Sequence, residues 1–430
     1  MDSCLKEILK MVVPSKEEEE KAWRIINEFK SKLEDYLPEV LVGGSFGKGT
    51  WLKGASDVDL FIRFSKDDEK ISNKVEGALK KLGIDYIRIE GSRDYFKVHY
   101  KNFEFELVPI VKISKPEKAK NITDLSPFHV DYVRRKIIEK PYLANEIRLT
   151  KAFMRTIGVY GAESYISGFS GYACEVLTIH YNSFLDLLKN SSNWKPKIII
   201  DPENFYKNKQ EVVNKLNIHR LRSPIIVIDP VYPARNVTAS VSTKSFAQFI
   251  FYTRRFLEDI NKYNIEKYFI VEQKTEEYFI RKYKRLGTCL IVFEVIGKGN
   301  NLDVKNTKIL KFLKFIKKQL TALGFIVLDY DIIFQKDLNC TGKIYLYVYP
   351  NCLPEYELRS GPPVWTRDHS EKFYRKWANF EIKVNSDGRL FAIIPRKVKT
   401  LQEAINFIFN NLKNSIEDKV EKISYRIISR

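Results

Sequence analysis

Two aspartates separated by one residue, Asp57 and Asp59, end a stretch that begins with a glycine pair and a serine, GGSFGKGTWLKGASDVDL. Alternate residues of a strand point to the same face, so both carboxylates would emerge together while Val58 points to the core. With a third acidic residue, such a pair can hold two Mg²⁺ ions about 4 Å apart for phosphoryl transfer. The stretch is therefore either half of a metal site or a polar strand face without chemistry.

A third carboxylate is offered by the segment FEFELVP, in which Glu104 and Glu106 share one face. Upstream, the glycine pair permits close backbone approach, and Ser45 can donate its hydroxyl and its amide to phosphate oxygens. Lys48 would add positive charge near the same anion. An anion-binding turn beside metal carboxylates is much rarer than either feature alone, which favours a nucleoside triphosphate site.

The elements that must position these residues predict an α+β domain in the N-terminal part of the chain. Residues 15–37 carry apolar side chains at helical spacing behind a capping box of Ser15 and Glu18. Residues 58–64 are typical of a strand, and three further strand-like runs follow before residue 113. Together they predict a mixed sheet with helices on one side.

The rest of the chain predicts further domains. Residues 129–189 are mostly helical, and alternating strand patterns return after residue 265. We therefore expect a multidomain α+β protein divided into residues 1–128, 129–264 and 265–430.

The composition points to a polyanionic partner. The 430 residues contain 73 Lys and Arg against 54 Asp and Glu, a net charge of +19, and such an excess favours nucleic acid. No apolar run approaches the roughly 18 residues of a membrane helix, and the N-terminus lacks a signal-peptide pattern. The five cysteines form no C-x-x-C pair, so neither a disulfide framework nor a zinc cluster is indicated. We expect a cytoplasmic protein with no membrane partner.

The motifs carry a family resemblance. GGS followed by DVD matches the signature of the polymerase-β-like nucleotidyltransferase superfamily. Together with SPFHVDYV, GVYGAESYISGFSGYACEVL, IDPVYPARNVTAS and RSGPPVWTRDH, it makes the chain resemble the class I, archaeal CCA-adding enzymes over nearly its whole length. The resemblance implies a palm domain, a mostly helical central domain that recognises the base, and an α+β C-terminal region that binds tRNA.

The implied reaction is addition of C, C and A to the tRNA 3′ end from CTP and ATP, without a nucleic acid template. In this resemblance Asp57, Asp59 and Glu106 are the catalytic carboxylates and the ligands of two Mg²⁺ ions. The family often has Glu-x-Asp in the first pair and Asp at the third position. In this chain the first pair begins with Asp57 instead of Glu, and the third position is Glu106 instead of Asp. Glu104 therefore competes with Glu106 for the third metal contact.

Six further residues match nucleotide-binding positions of the family: Ser45, Lys48, His129, Lys151, Tyr160 and Arg235. Ser45 and Lys48 would hold the triphosphate, and Arg235 would read the base. Arginine offers only donors, and these match cytosine N3 and adenine N1, whereas uracil and guanine carry hydrogens at the corresponding edge. The alternatives are a helix cap for His129, a solvated helix face for Lys151, a packing role for Tyr160, and a surface or phosphate-binding Arg235.

Two groups near the C-terminus also fit RNA binding. Lysines 311, 314 and 318 share a helix face, and tyrosines 345, 347 and 349 share a strand face. They would hold the tRNA acceptor region and stack on a base, or they form an amphipathic helix and an aromatic sheet face that pack together. A poly(A)-polymerase-like terminal transferase and an inactive RNA-binding relative remain alternative functions. The sequence leaves both a monomer and a homodimer open.

Overall fold

The computed structural model describes residues 3–66, 70–216, 221–261, 265–271, 274–335 and 341–429. The chain divides into two compact units, residues 1–272 and 273–430. Its content of 45% helix and 23% strand confirms the predicted α+β class. The division into three domains stays a prediction, and its boundary at residue 264 lies outside the described residues.

The first unit contains a five-stranded sheet in the order β1-β2-β5-β4-β3. Its strands are β1 (Val40–Val42), β2 (Asp57–Phe64), β3 (Ile87–Ile89), β4 (Tyr95–Tyr100) and β5 (Phe103–Val111). β2 and β5 are parallel, and the other neighbours are antiparallel. Val58, Leu60 and Ile62 of β2 are fully buried, which leaves the aspartates of this strand on the opposite, more accessible face.

Helices cover this sheet and form the rest of the unit. They are α1 (Ser3–Val12), α2 (Lys16–Glu34), α3 (Gly44–Lys48), α4 (Ile71–Lys81), α5 (Ser126–Glu139), α6 (Leu143–Thr156), α7 (Gly171–Tyr181), α8 (Phe184–Ser191), α9 (Lys209–Lys215) and α10 (Thr243–Asp259). The predicted capping box of Ser15 and Glu18 is present at the start of α2. A two-stranded parallel sheet, β6 (Ile198–Ile200) with β7 (Ile225–Val227), lies among the later helices.

The second unit has a four-stranded antiparallel sheet in the order β14-β8-β10-β9 and a three-stranded one in the order β11-β13-β12. The strands are β8 (Cys289–Gly297), β9 (Ile326–Phe334), β10 (Thr341–Tyr349), β11 (Tyr356–Pro363), β12 (Glu381–Val384), β13 (Arg389–Pro395) and β14 (Val420–Ile428). The helices are α11 (Glu276–Leu286), α12 (Leu302–Ala322), α13 (Arg367–Trp377), α14 (Leu401–Asn411) and α15 (Lys413–Glu417).

The tyrosine face of β10 is a packing surface in this unit. The Tyr345 ring stacks on Phe279 of α11 at 3.7 Å between centroids. The Tyr347 side chain is fully buried, and its hydroxyl donates to Asp331 at 3.2 Å. Only Tyr349 of the three is exposed, so the packing alternative holds for the other two.

The lysine row of α12 behaves differently. Lysines 311, 314 and 318 are exposed, whereas Ile309, Phe312, Leu313 and Ile316 of the same helix are buried. The row is therefore accessible to a polyanion, and its predicted contact with tRNA stays a prediction.

Candidate active site

The carboxylates predicted as metal ligands lie at one end of the parallel strands β2 and β5. In the register of these strands, Asp57 pairs with Glu104 and Asp59 pairs with Glu106. The short helix α3 follows β1 and passes directly over Asp59. A Cβ atom added to Gly44 would lie 1.7 Å from an Asp59 carboxylate oxygen, and Gly44 has a φ of +55°. Only glycine allows this close approach between the turn and the carboxylate.

The charge around Asp59 favours a bound cation. Burial, the neighbouring Glu106 and then Asp57 raise the pKa of Asp59 to about 6. Within the described part of the chain, no lysine, arginine or histidine forms an ion pair with Asp59. The atoms that would coordinate a metal here are all carboxylate oxygens, which are the ligands that Mg²⁺ prefers. The oxygen chemistry of these side chains therefore fits a divalent metal.

A lysine occupies the side of this cluster where a third ligand would be needed. The Lys97 ammonium lies 2.7 Å from Glu104 and 2.9 Å from Glu106. Among the described residues, no group of three acidic, histidine or cysteine side chains converges closely enough to hold a metal ion. The Glu106 carboxylate now contacts Lys97, so it would have to give up this ion pair in order to bind a metal.

A second cluster joins the two lysines predicted to bind nucleotide. Lys48 donates to one carboxylate oxygen of Glu175 and Lys151 to the other, both at 2.7 Å. The Thr50 hydroxyl also donates to Glu175 at 2.7 Å and accepts from Lys151 at 2.9 Å. Burial opposes ionisation of Glu175, but the two lysines outweigh it and lower its pKa to about 2. The four side chains form one buried network between α3, α6 and α7.

A third cluster joins His129 to Arg235 through Asp229. One Asp229 oxygen contacts His129 at 3.0 Å and accepts from Arg235 at 2.8 Å. The other accepts from the Tyr172 hydroxyl at 3.1 Å. Burial opposes ionisation of Asp229, but His129 and Arg235 outweigh it and lower its pKa to about 2. Burial lowers the pKa of His129 despite this partner, so the imidazole stays neutral at physiological pH.

Tyr172 connects the second and third clusters. Its ring lies against the His129 ring at 4.1 Å between centroids, and the Lys48 ammonium lies over the same ring at 5.0 Å. The structure thus brings Lys48, Lys151, His129 and Arg235 into one continuous region of the first unit.

Two hydroxyls of the predicted site are available to a ligand. The hydroxyls of Ser45 and Tyr160 have no hydrogen-bond partner within the ranges that the structure describes, and both side chains are half-buried. A Cβ atom added to Gly171 would lie 2.9 Å from the Tyr160 hydroxyl and 3.9 Å from Lys151. Tyr160 therefore lies beside the lysine network, and its ring also packs against the hydrophobic core of the first unit, so both of its predicted roles stay open.

The sequence analysis missed Glu175, Asp229 and Tyr172. Glu175 stands inside the apolar segment YACEVL and Asp229 in IIVIDP. A charged residue in a buried segment needs a partner of opposite charge, which is the signal that would have marked both. No comparable signal marks Tyr172, because its role depends on residues far away in the chain.

Replacing Asp229 by asparagine is expected to lower the free energy of unfolding by about 3 kcal/mol, because it leaves the partly buried Arg235 without its counter-charge. The Asp229 pKa lies below that of an unfolded aspartate, so this stabilisation is present above about pH 4 and is lost as the pH falls toward 2. Urea unfolding at neutral pH measures it. The exposed Asp131 on α5 supplies the control, since Asp131→Asn should change stability by less than about 0.5 kcal/mol. Equal stability of the two variants would contradict the expectation.

The comparisons with known proteins agree with this fold. A likeness to solved structures includes the Cid1 poly(U) polymerase, with a TM-score of 0.51, 13% identity, and coverage of 62% of this chain and 98% of that chain. A cytoplasmic RNA terminal U-transferase gives a TM-score of 0.52 at 13% identity, with 63% and 97% covered. Family models for a nucleotidyltransferase domain and for the second domain of tRNA nucleotidyltransferase match residues 23–151 and 145–269. The fold is that of a polymerase-β-type nucleotidyltransferase, a class that normally uses divalent metals.

Similarity over most of the chain, including its C-terminal part, identifies the particular family. A model for the C-terminal domain of CCA-adding enzyme matches residues 287–429. The CCA-adding enzyme of Nanoarchaeum equitans is 37% identical, with 93% of this chain and 97% of that protein covered. That of Methanocaldococcus jannaschii is 34% identical, with 96% and 92% covered. The chain belongs to the CCA-adding enzyme family, as the sequence motifs predicted.

In the described part of the chain, no helix has both the length and the apolar character needed to cross a membrane.

Proposed function

We propose that this enzyme adds C, C and A to the 3′ end of tRNA, using CTP and ATP and no nucleic acid template. The observation that carries the proposal is that Lys48 lies within electrostatic reach of Asp59 and is linked through Tyr172 to the Arg235 cluster. The chain that holds them is similar to CCA-adding enzymes over nearly its full length. A poly(A)-polymerase-like activity is less well supported, because the C-terminal unit also matches the CCA-adding family. We place the reaction in the cytoplasm, where tRNA is its polyanionic partner.

The acidic side chains of the site would bind metal ions, and its hydroxyl and ammonium groups would bind the triphosphate. Asp57, Asp59 and Glu106 would hold two Mg²⁺ ions. When bound, the ions lower the pKa of the tRNA 3′-hydroxyl and neutralise the pyrophosphate as it leaves. Ser45 would donate its hydroxyl to the triphosphate, and Lys48 would supply the positive charge beside it.

The second and third clusters would orient the nucleotide. The Tyr160 hydroxyl lies beside Lys151 and has no hydrogen-bond partner among the described residues, which suits a contact with the sugar or phosphate. Arg235 has one guanidinium nitrogen on Asp229 and is 25% exposed, so its other nitrogens remain available to the base. Asp229 would thereby fix which edge of Arg235 faces cytosine N3 or adenine N1.

A tRNA that lacks its 3′ CCA tests the proposal. The protein with Mg²⁺ should add C and C from CTP, and then A once ATP is supplied, and stop after three nucleotides. Long A tails would support the poly(A)-polymerase alternative. Intact tRNA binding without any incorporation would support the inactive relative.

Replacing Arg235 by alanine is expected to reduce discrimination of CTP and ATP against UTP and GTP by about tenfold to a hundredfold, because the base edge loses a charged donor worth about 1–3 kcal/mol. Single-turnover incorporation of each nucleotide measures the ratio. Replacing the exposed Arg155 by alanine is the matched control. Unchanged discrimination in Arg235→Ala would remove the base-reading role.

A further inference from the structure

Glu175 is a buried acid at the centre of the triphosphate-binding region. Its side chain is 1% exposed, and those of Lys151 and Lys48 are 2% and 9% exposed. Two ammonium groups and one carboxylate leave a single net positive charge in a largely buried cluster. Buried lysines lose their proton readily when no opposite charge is near.

The two lysines use Glu175 differently. Lys151 donates to Glu175 and to both the hydroxyl and the carbonyl oxygen of Thr50, so its three N–H groups are occupied within the protein. Lys48 makes one hydrogen bond to a described residue, the bond to Glu175. The Lys48 ammonium therefore keeps N–H groups that can donate to a phosphate. Lys151 binds the other oxygen of the same Glu175 carboxylate and helps to hold that carboxylate in place.

We propose that Glu175 is a positioning residue that keeps Lys48 and Lys151 charged and aimed, and so sets triphosphate affinity equally for CTP and ATP without touching either nucleotide. The inference rests on the proposed function, because it takes Lys48 to face the triphosphate. It makes Glu175 a determinant of binding and not of base selection, which belongs to the separate Asp229 cluster.

The surroundings support a role in charge and not only in packing. Burial and repulsion from Lys48 lower the pKa of Lys151 even though Glu175 opposes them. The other titratable groups near the cluster are Asp59, His129, Tyr160, Tyr172 and Cys174. Burial raises the pKa of both tyrosines and brings that of Cys174 to about 12. Burial also lowers the pKa of His129, so a titration above pH 7 in a Glu175 variant would report Lys151, whose pKa is lowered.

Replacing Glu175 by glutamine keeps the shape and removes the charge. We expect the KM for CTP and for ATP, each divided by the wild-type value at the same pH, to rise by about tenfold or more between about pH 6.5 and about pH 9, because a required lysine loses its proton. Discrimination between nucleotides should stay at the wild-type level. Equilibrium binding of CTP and of ATP without tRNA should follow the same pH dependence.

Two further variants separate charge from structure. Glu175→Asp keeps the charge but shortens the side chain, so its KM ratio should be raised and independent of pH. Glu146→Gln removes another buried glutamate, one that accepts from the backbone of Phe184 at 2.8 Å, and should leave the pH profile unchanged. A pH-independent ratio in Glu175→Gln, or a ratio in Glu175→Asp that climbs with pH, would overturn the inference. Wild-type protein that adds no nucleotide to tRNA would instead contradict the proposed function.

Discussion

Replacing Asp59 by alanine is expected to abolish nucleotide addition, with a loss of at least about a thousandfold in rate, because a metal that stabilises charge in the transition state loses its central ligand. Asp59 lies between Asp57 on its own strand and Glu106 on the next, and the Gly44 turn closes over it. None of its neighbours can take its place. Single-turnover addition of CTP to a tRNA that lacks CCA measures the loss.

The affinity of Asp59→Ala for tRNA should stay within a few-fold of wild type, because removal of a carboxylate takes away no contact with phosphate. Asp131→Ala, which changes an exposed aspartate on α5, is the matched control and should keep full activity. An Asp59→Ala protein that retained a tenth of wild-type activity would exclude Asp59 as a metal ligand.

Substitutions at Glu106 and at Glu104 should show which of the two glutamates is the third metal ligand. Glu106→Gln is expected to slow addition by at least about a hundredfold, because loss of a mere outer partner of a metal ligand already costs about 10–100-fold. Glu104→Gln should cost about tenfold at most, since Glu104 pairs with Asp57 at the exposed end of the strands and contacts the same Lys97. Rates measured over a series of Mg²⁺ concentrations should show a weakened affinity for Mg²⁺, and so a higher concentration for half-maximal rate, for Glu106→Gln only.

The register of β2 and β5 is the reason for this ranking. Glu106 lies opposite Asp59, and its charge is the largest electrostatic contribution, after burial, to the raised pKa of Asp59. If Glu104→Gln were the more damaging variant, Glu104 would be the third ligand and Glu106 would serve only to hold Lys97.

Local patterns predicted the elements of the site well. The capping box at Ser15, the buried alternation of β2 and the shared face of Asp57 and Asp59 are all properties of neighbouring residues. The family motifs also pointed to Lys48 and Arg235, whose nucleotide contacts stay predictions. These features could be predicted because each depends on spacing within one helix, strand or motif.

The partners of those residues could not be predicted in the same way. Glu175 is 127 residues from Lys48, and Asp229 is 100 residues from His129. A sequence pattern shows that a buried charge needs a partner but does not show which one. The tyrosines of β10 show the same limit. Their alternation in the sequence predicts that they share one strand face, but it does not predict that Phe279 of α11 covers Tyr345.

The wide separation of these partners has a consequence for how the enzyme is made. The carboxylates proposed as metal ligands are all present once residue 106 has been synthesised. Lys48 gains its partner only with Glu175, and His129 gains its partner only with Asp229. Because N-terminal segments emerge from the ribosome first, a nascent chain shorter than about 230 residues would carry its acidic cluster before the lysines, histidine and arginine are held in place. We therefore expect nucleotide-binding competence to be acquired late in translation, after the strands that carry the carboxylates have been synthesised.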